Sequence, residues 1–129
     1  MASENSVITL YRRRNLVKIT SGAIAALPKI AYIALGSGGV SEGGEVIAPN
    51  EDQTALKTEI GRYPVDPVEY PVETTARYTI TVPESELAGE AISELGLLDE
   101  EGELCAVRNC SPKIKDAGEE FTFVFDDEF

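Results

Sequence analysis

Any chemistry in this chain has to come from carboxylates, thiols, arginines or a glycine loop, because its 129 residues include no histidine. Without an imidazole the Ser-His and Cys-His nucleophiles are excluded, and neither Ser37 nor Cys105 has a base at a meaningful spacing. Paired carboxylates could serve glycoside hydrolysis, but sequence spacing does not set the fixed separation that reaction needs. The acids at 99–103 match a calcium loop in charge alone, since the alternating ligands and terminal glutamate of an EF-hand are missing. Cys105 and Cys110, with no C-x-x-C and no histidine, do not make a zinc set. Five residues apart on one strand, they are expected to face opposite sides and to remain unbridged, buried thiols. Gly36-Ser37-Gly38-Gly39 follows an apolar run but lacks the continuation of a phosphate-binding loop. The expectation is a non-enzyme without a cofactor.

Arg12, Arg13 and Arg14 form a concentrated cationic run, which we read as a contact surface for an acidic neighbouring subunit. The whole chain carries 11 basic against 23 acidic residues, net −12, which opposes binding to nucleic acid and to anionic membranes. Residues 1–30 hold five of the basic residues and one acid, so the negative charge belongs to the remainder. No apolar stretch of about 18 residues is present, so membrane insertion is not expected. Nor does the N-terminus read as a secretory signal, which implies a chain kept in a cytoplasm until assembly.

Positioning these residues falls to strands. The segment 92–107, I-S-E-L-G-L-L-D-E-E-G-E-L-C-A-V, reads as a central hairpin with Asp99-Glu100-Glu101-Gly102 at its tip. Leu95 and Leu97 share one face of its first strand, and Ile92, Gly96 and Leu98 share the other, as in a strand covered on both sides. Gly96 inside a strand points to a bulge or a close approach. Residues 74–82 alternate with period two, and Phe121, Phe123 and Phe125 line one face of a closing strand. Residues 29–35 read as a buried strand, and 109–118 as a connecting loop. Thr20 is a candidate cap for a short helix to Leu27, stopped by Pro28, and Asn50 for a helical turn over 51–60. Pro64, Pro67 and Pro71 confine residues 62–72 to a sheet edge or extended arm. The resulting class is α+β, mostly antiparallel β, sandwich-like, with one or two short helices. We expect a flexible basic arm over 1–14 and a single β-rich domain over 15–129.

Several of these segments in order carry a resemblance: K-I-T-S-G-A at 18–23, I-A-Y-I-A-L-G-S-G-G at 30–39, A-L-K-T-E-I at 55–60, and I-S-E-L-G-L-L-D with G-E-L at 92–104. Together they resemble the phage tail-collar fibre family over roughly residues 12–126. The glycine-centred hairpin segment is the most specific part. Gly36-Ser37-Gly38 departs from the family's frequent Gly-Asp-Gly. The resemblance implies a prophage or phage structural protein at the virion tail or baseplate, an adaptor or fibre-attachment head rather than a shaft. With the β core, the absence of catalytic machinery, the proline-rich arm and the charge split, we expect self-association as a homo-oligomer, docking to other tail or baseplate proteins, and a stay in the bacterial host cytoplasm during assembly. Two alternatives compete with it. One is a calcium- or carbohydrate-binding β module, motivated by the acidic turns and by Tyr63, Tyr70 and Tyr78; the other is a carboxylate-dependent hydrolase.

Overall fold

A computed structural model describes residues 5–129. Its elements run β1 (Ser6–Ile8), α1 (Leu10–Thr20), β2 (Ile30–Gly36), β3 (Glu59–Pro64), β4 (Glu69–Val72), β5 (Thr75–Val82), β6 (Ala91–Asp99), β7 (Leu104–Ile114) and β8 (Phe121–Glu128). The strands pair antiparallel in two sheets, ordered β1-β7-β6-β2-β3 and β4-β5-β8. The expected class is found: α+β, dominated by antiparallel strands, with one helix among the described residues.

The β6–β7 hairpin sits in the middle of the larger sheet. Leu95 and Leu97 point toward the smaller sheet and pack with Ile33, Leu35, Ile80, Val82, Phe123 and Phe125. Burying each such side chain contributes roughly 1.5–3 kcal/mol, so the inter-sheet core is the main source of stability. Leu98, Leu104, Val107 and Ala34 lie on the outer face and are covered by Leu56 from the irregular segment 37–58. Gly96 leaves room for these side chains. A Cβ at that position would come within 2.7 Å of Leu104 Cδ1 and 3.1 Å of Leu56 Cδ2. Gly102 turns the hairpin at φ +82°, as its place in the tip demands.

Irregular register moves two residues from their expected faces. A shift between Leu97 and Leu98 leaves Cys105 as the extra residue between Leu104 and Ala106, and it joins the inter-sheet core. Cys105 and Cys110 therefore border the same core rather than opposite faces, and both thiols are free. A second shift between Ile92 and Glu94 brings Ile92 into that core as well.

The helix lies one segment earlier than the residue pattern suggested. Thr9 is its N-cap, with Oγ1 accepting from the Arg12 amide at 3.4 Å and donating to the Leu104 carbonyl at 2.7 Å. Thr20 closes the helix instead of opening one: its hydroxyl donates back to Leu16 O, and Gly22 follows at φ +85°. The boundary expected at residue 14 falls inside α1, and Ser6–Ile8 already pairs with β7; Met1 to Glu4 of the expected arm lie outside the described residues. Asn50 makes a side-chain turn to the Asp52 amide at 2.8 Å, and no helix follows before β3. β7 continues to Ile114 where a loop was expected from 109. Pro64 and Pro71 fall on β3 and β4, the edge strands of their sheets, as their missing donors require.

Candidate functional site

Where the two sheets open beside the hairpin tip, α1 and the segment from Leu27 to Ile30 enclose a cavity of about 520 Å³. Its lining includes Tyr11, Arg12 and Asn15 of α1, Tyr70 of β4, Tyr78 of β5, and Asp99 and Cys105 of the hairpin. Asp99 is 1% exposed and is fully engaged on its tip side. Its Oδ1 accepts from the Glu101 and Glu103 amides at 2.9 and 3.1 Å, and its Oδ2 accepts from the Tyr11 hydroxyl at 2.7 Å. Burial, then the hydrogen bond and charge of Asp99, push the Tyr11 pKa well above the ordinary phenol value. Burial and then the same charge push the Cys105 thiol up to about 12, so it is protonated and unreactive at neutral pH.

Five residues earlier on β6, a second buried carboxylate does different work. Glu94, 1% exposed, accepts from the Gly38 amide at 2.9 Å and the Thr58 amide at 2.8 Å on Oε2, and from the Lys57 amide at 3.0 Å on Oε1. The glycine loop wraps this carboxylate closely: a Cβ on Gly36 or Gly38 would collide with it. The next amide, Gly39, donates to Ser93 Oγ at 2.9 Å. The glycine loop thus presents amides to an anion, but the anion is the protein's own. Glu94 thereby fastens the covering segment, with Leu56, over the outer face of the larger sheet.

The three arginines separate. Arg12 forms a two-pronged pair with Asp127 at 2.8 and 2.7 Å, with side chains 15% and 4% exposed, and its guanidinium lies 5.2 Å from the centre of the Phe129 ring. Burial alone would lower its pKa, but the hydrogen bond and charge of Asp127 outweigh that and hold it above the usual value. Arg12 is an internal strut between α1 and β8. Arg13 makes an exposed pair with Glu51 at 3.0 Å, and Arg14 is exposed. Of the three tyrosines singled out in the sequence, Tyr70 and Tyr78 meet in the cavity, while Tyr63 lies elsewhere with its hydroxyl donating to Glu86 at 2.6 Å. The pairing of Tyr11 with Asp99 had no signal in the sequence, the two being 88 residues apart. Among the described residues no cluster of three or more Cys, Asp or Glu side chains is placed to hold a metal ion.

A family model described as phage tail-collar fibre protein, N-terminal, matches residues 5–123. The chain belongs to the phage tail-collar fibre family. No curated protein and no solved structure matches it. The tail-collar fibre family is structural, and its members are components of the phage tail. In this tail-collar fibre domain the most specific part of the resemblance falls on the β6–β7 hairpin, and its buried Glu94 and Asp99 are internal fasteners. Glu94 holds the covering segment and Asp99 holds α1, with Gly96 between them leaving room for Leu56. Among the described residues of this tail-collar fibre domain no helix is long and apolar enough to cross a membrane.

Proposed function

We propose that this domain is a non-enzymatic adaptor or fibre-attachment head of a phage or prophage tail baseplate, working through self-association and docking to other tail proteins. Assembly takes place in the host cytoplasm before incorporation into the virion. The supporting observation is α1, which has no buried residue and carries exposed Arg13, Arg14 and Lys18 around Val17, itself 67% exposed. On a chain of net charge −12, a basic and partly apolar helix is suited to an acidic protein surface. Arg12 contributes by fixing the helix to β8, while Arg13 and Arg14 are the contacting cations. The Arg13–Glu51 pair is solvent-exposed and worth at most about 1 kcal/mol, so Arg13 can exchange partners at little cost.

Absolute mass by light scattering at low and moderate salt tests this reading. A stable oligomer that dissociates with salt, and that is lost in Arg13→Glu/Arg14→Glu, is the expected result. Association indifferent to both salt and charge reversal would remove α1 as the contact surface.

A further inference from the structure

The cavity at the hairpin tip has a composition that assembly through α1 does not use. The chain has five tyrosines and no tryptophan, and three of the five, Tyr11, Tyr70 and Tyr78, line this one cavity from three different elements. Tyr70 is 69% exposed, an open ring at the mouth. Leu27, Pro28, Ile30, Val65 and Val68 supply apolar wall between the rings.

The polar groups are as informative as the rings. Asn15 lines the cavity with Tyr11, whose hydroxyl donates to Asp99. Lys29 and Asp66 are exposed lining residues that form no ion pair among the described residues. The charged lining residues are Arg12, Lys29, Asp66 and Asp99, two of each sign, within a molecule of net charge −12. An anionic ligand is repelled by the molecule as a whole, and a cationic one meets as many positive as negative groups in the lining. A neutral ligand with apolar faces and a hydroxyl-bearing edge satisfies both halves of the lining: the faces stack on phenol rings, and the edge exchanges hydrogen bonds with carboxylate, amide and ammonium.

We infer that the cavity between α1, β4, β5 and the hairpin tip binds a neutral saccharide, with Tyr70 and Tyr78 as stacking platforms and Asp66, Lys29 and Asn15 as hydroxyl partners. The volume of about 520 Å³ lies within the ordinary range for small-molecule sites and suits roughly two or three sugar units. This site is independent of the α1 contact surface, because Arg13, Arg14 and Val17 are not part of its lining.

Saturation-transfer NMR on the full chain with maltotriose, cellotriose and triacetylchitotriose tests the assignment. Saturation transfer to at least one trisaccharide is expected, with affinity about tenfold weaker in Tyr70→Ala and nearly unchanged in Tyr70→Phe, which keeps the ring. Tyr70 is exposed, so these variants fold; Asp66→Ala, equally exposed, is expected to weaken binding by a smaller factor. No transfer to any of the three at millimolar concentration, or transfer untouched by Tyr70→Ala, overturns the inference.

Discussion

Glu94 and Asp99 are both buried carboxylates on β6, accepting three and four hydrogen bonds, yet their surroundings separate them. Glu94 is closed in by backbone: its three donors are amides from the covering segment, and the neighbouring glycines leave no space for anything else. Asp99 has amides on one oxygen only, and its other oxygen accepts from the Tyr11 hydroxyl and the Cys105 thiol at the wall of a cavity. The first arrangement is purely a fastener, because no donor can leave without stranding a buried charge. The second has side-chain rather than backbone donors on one oxygen, so the same element carries an end sealed by backbone and an end that borders a cavity. Acid residues with perturbed surroundings are often read as functional; here the cavity beside the carboxylate, rather than its burial, distinguishes the two.

The largest expected effect comes from removing the carboxylates. Glu94→Ala leaves three partly buried amides without their acceptor and frees the segment that covers the outer face, at a cost of about 3–5 kcal/mol. Asp99→Ala strands two tip amides and the Tyr11 hydroxyl, which can turn to water in the cavity, at about 2–3 kcal/mol. Replacement by the amide sharpens the contrast. In Asp99→Asn the new NH2 can take the Oδ2 position and donate to the Tyr11 oxygen, whereas in Glu94→Gln it must oppose a backbone N–H whichever way it is placed. Urea denaturation should therefore rank Glu94→Gln clearly below Asp99→Asn in stability. Equal losses would erase the distinction between a closed and an open carboxylate.

A smaller effect tests the glycines around Glu94. In Gly39→Ala the new Cβ would meet the Ser93 carbonyl oxygen, which is backbone and cannot yield, so a loss of about 3 kcal/mol is expected. In Gly96→Ala the obstacles are the ends of Leu104 and Leu56, which can shift, and about 1–2 kcal/mol suffices. Thermal melts of the two variants should keep that order.

Much of this was legible in the residues, and what was not has physical causes. The hairpin was readable because two apolar runs flank three acids and a glycine, and the closing strand because three phenylalanines alternate. Faces were misassigned at Cys105 and Ile92 because a bulge changes parity without any residue marking it. The helix was displaced because Thr20 is equally good at bonding back to Leu16 O as at capping, whereas Thr9 and Gly22 were the true bounds. A run of three arginines said nothing about pairing, so the Arg12–Asp127 strut across 115 residues appeared only with the fold. Lys115 is fully buried, with its ammonium donating to Glu84 O at 2.9 Å, and lysine identity alone predicts the opposite. The cavity depends on the same long-range closure: Tyr11, Tyr70 and Tyr78 come together only once α1 is fixed to β8 and the sheets have packed.

The finest test of the comparison is alkaline pH. Both Tyr11 and Cys105 hold their protons more tightly in the folded protein than in the unfolded chain, burial being the first cause and Asp99 the second. Between the ordinary thiol pKa and the folded value of about 12, the folded state therefore binds more protons. The associated stability is fully present below about pH 8.5 and is lost as pH rises. Each group contributes less than about 1.4 kcal/mol per pH unit, and Tyr11, partly in contact with solvent, contributes the smaller share. Asp99→Asn removes the charge and leaves the burial, so the fall in stability between pH 8.5 and 11 should become shallower. Glu94→Gln, whose carboxylate contributes to neither shift, should keep the original slope from a lower starting point. Parallel slopes for all three proteins would mean that burial alone sets the two pKa values, and that the open face of Asp99 has no electrostatic reach into the cavity.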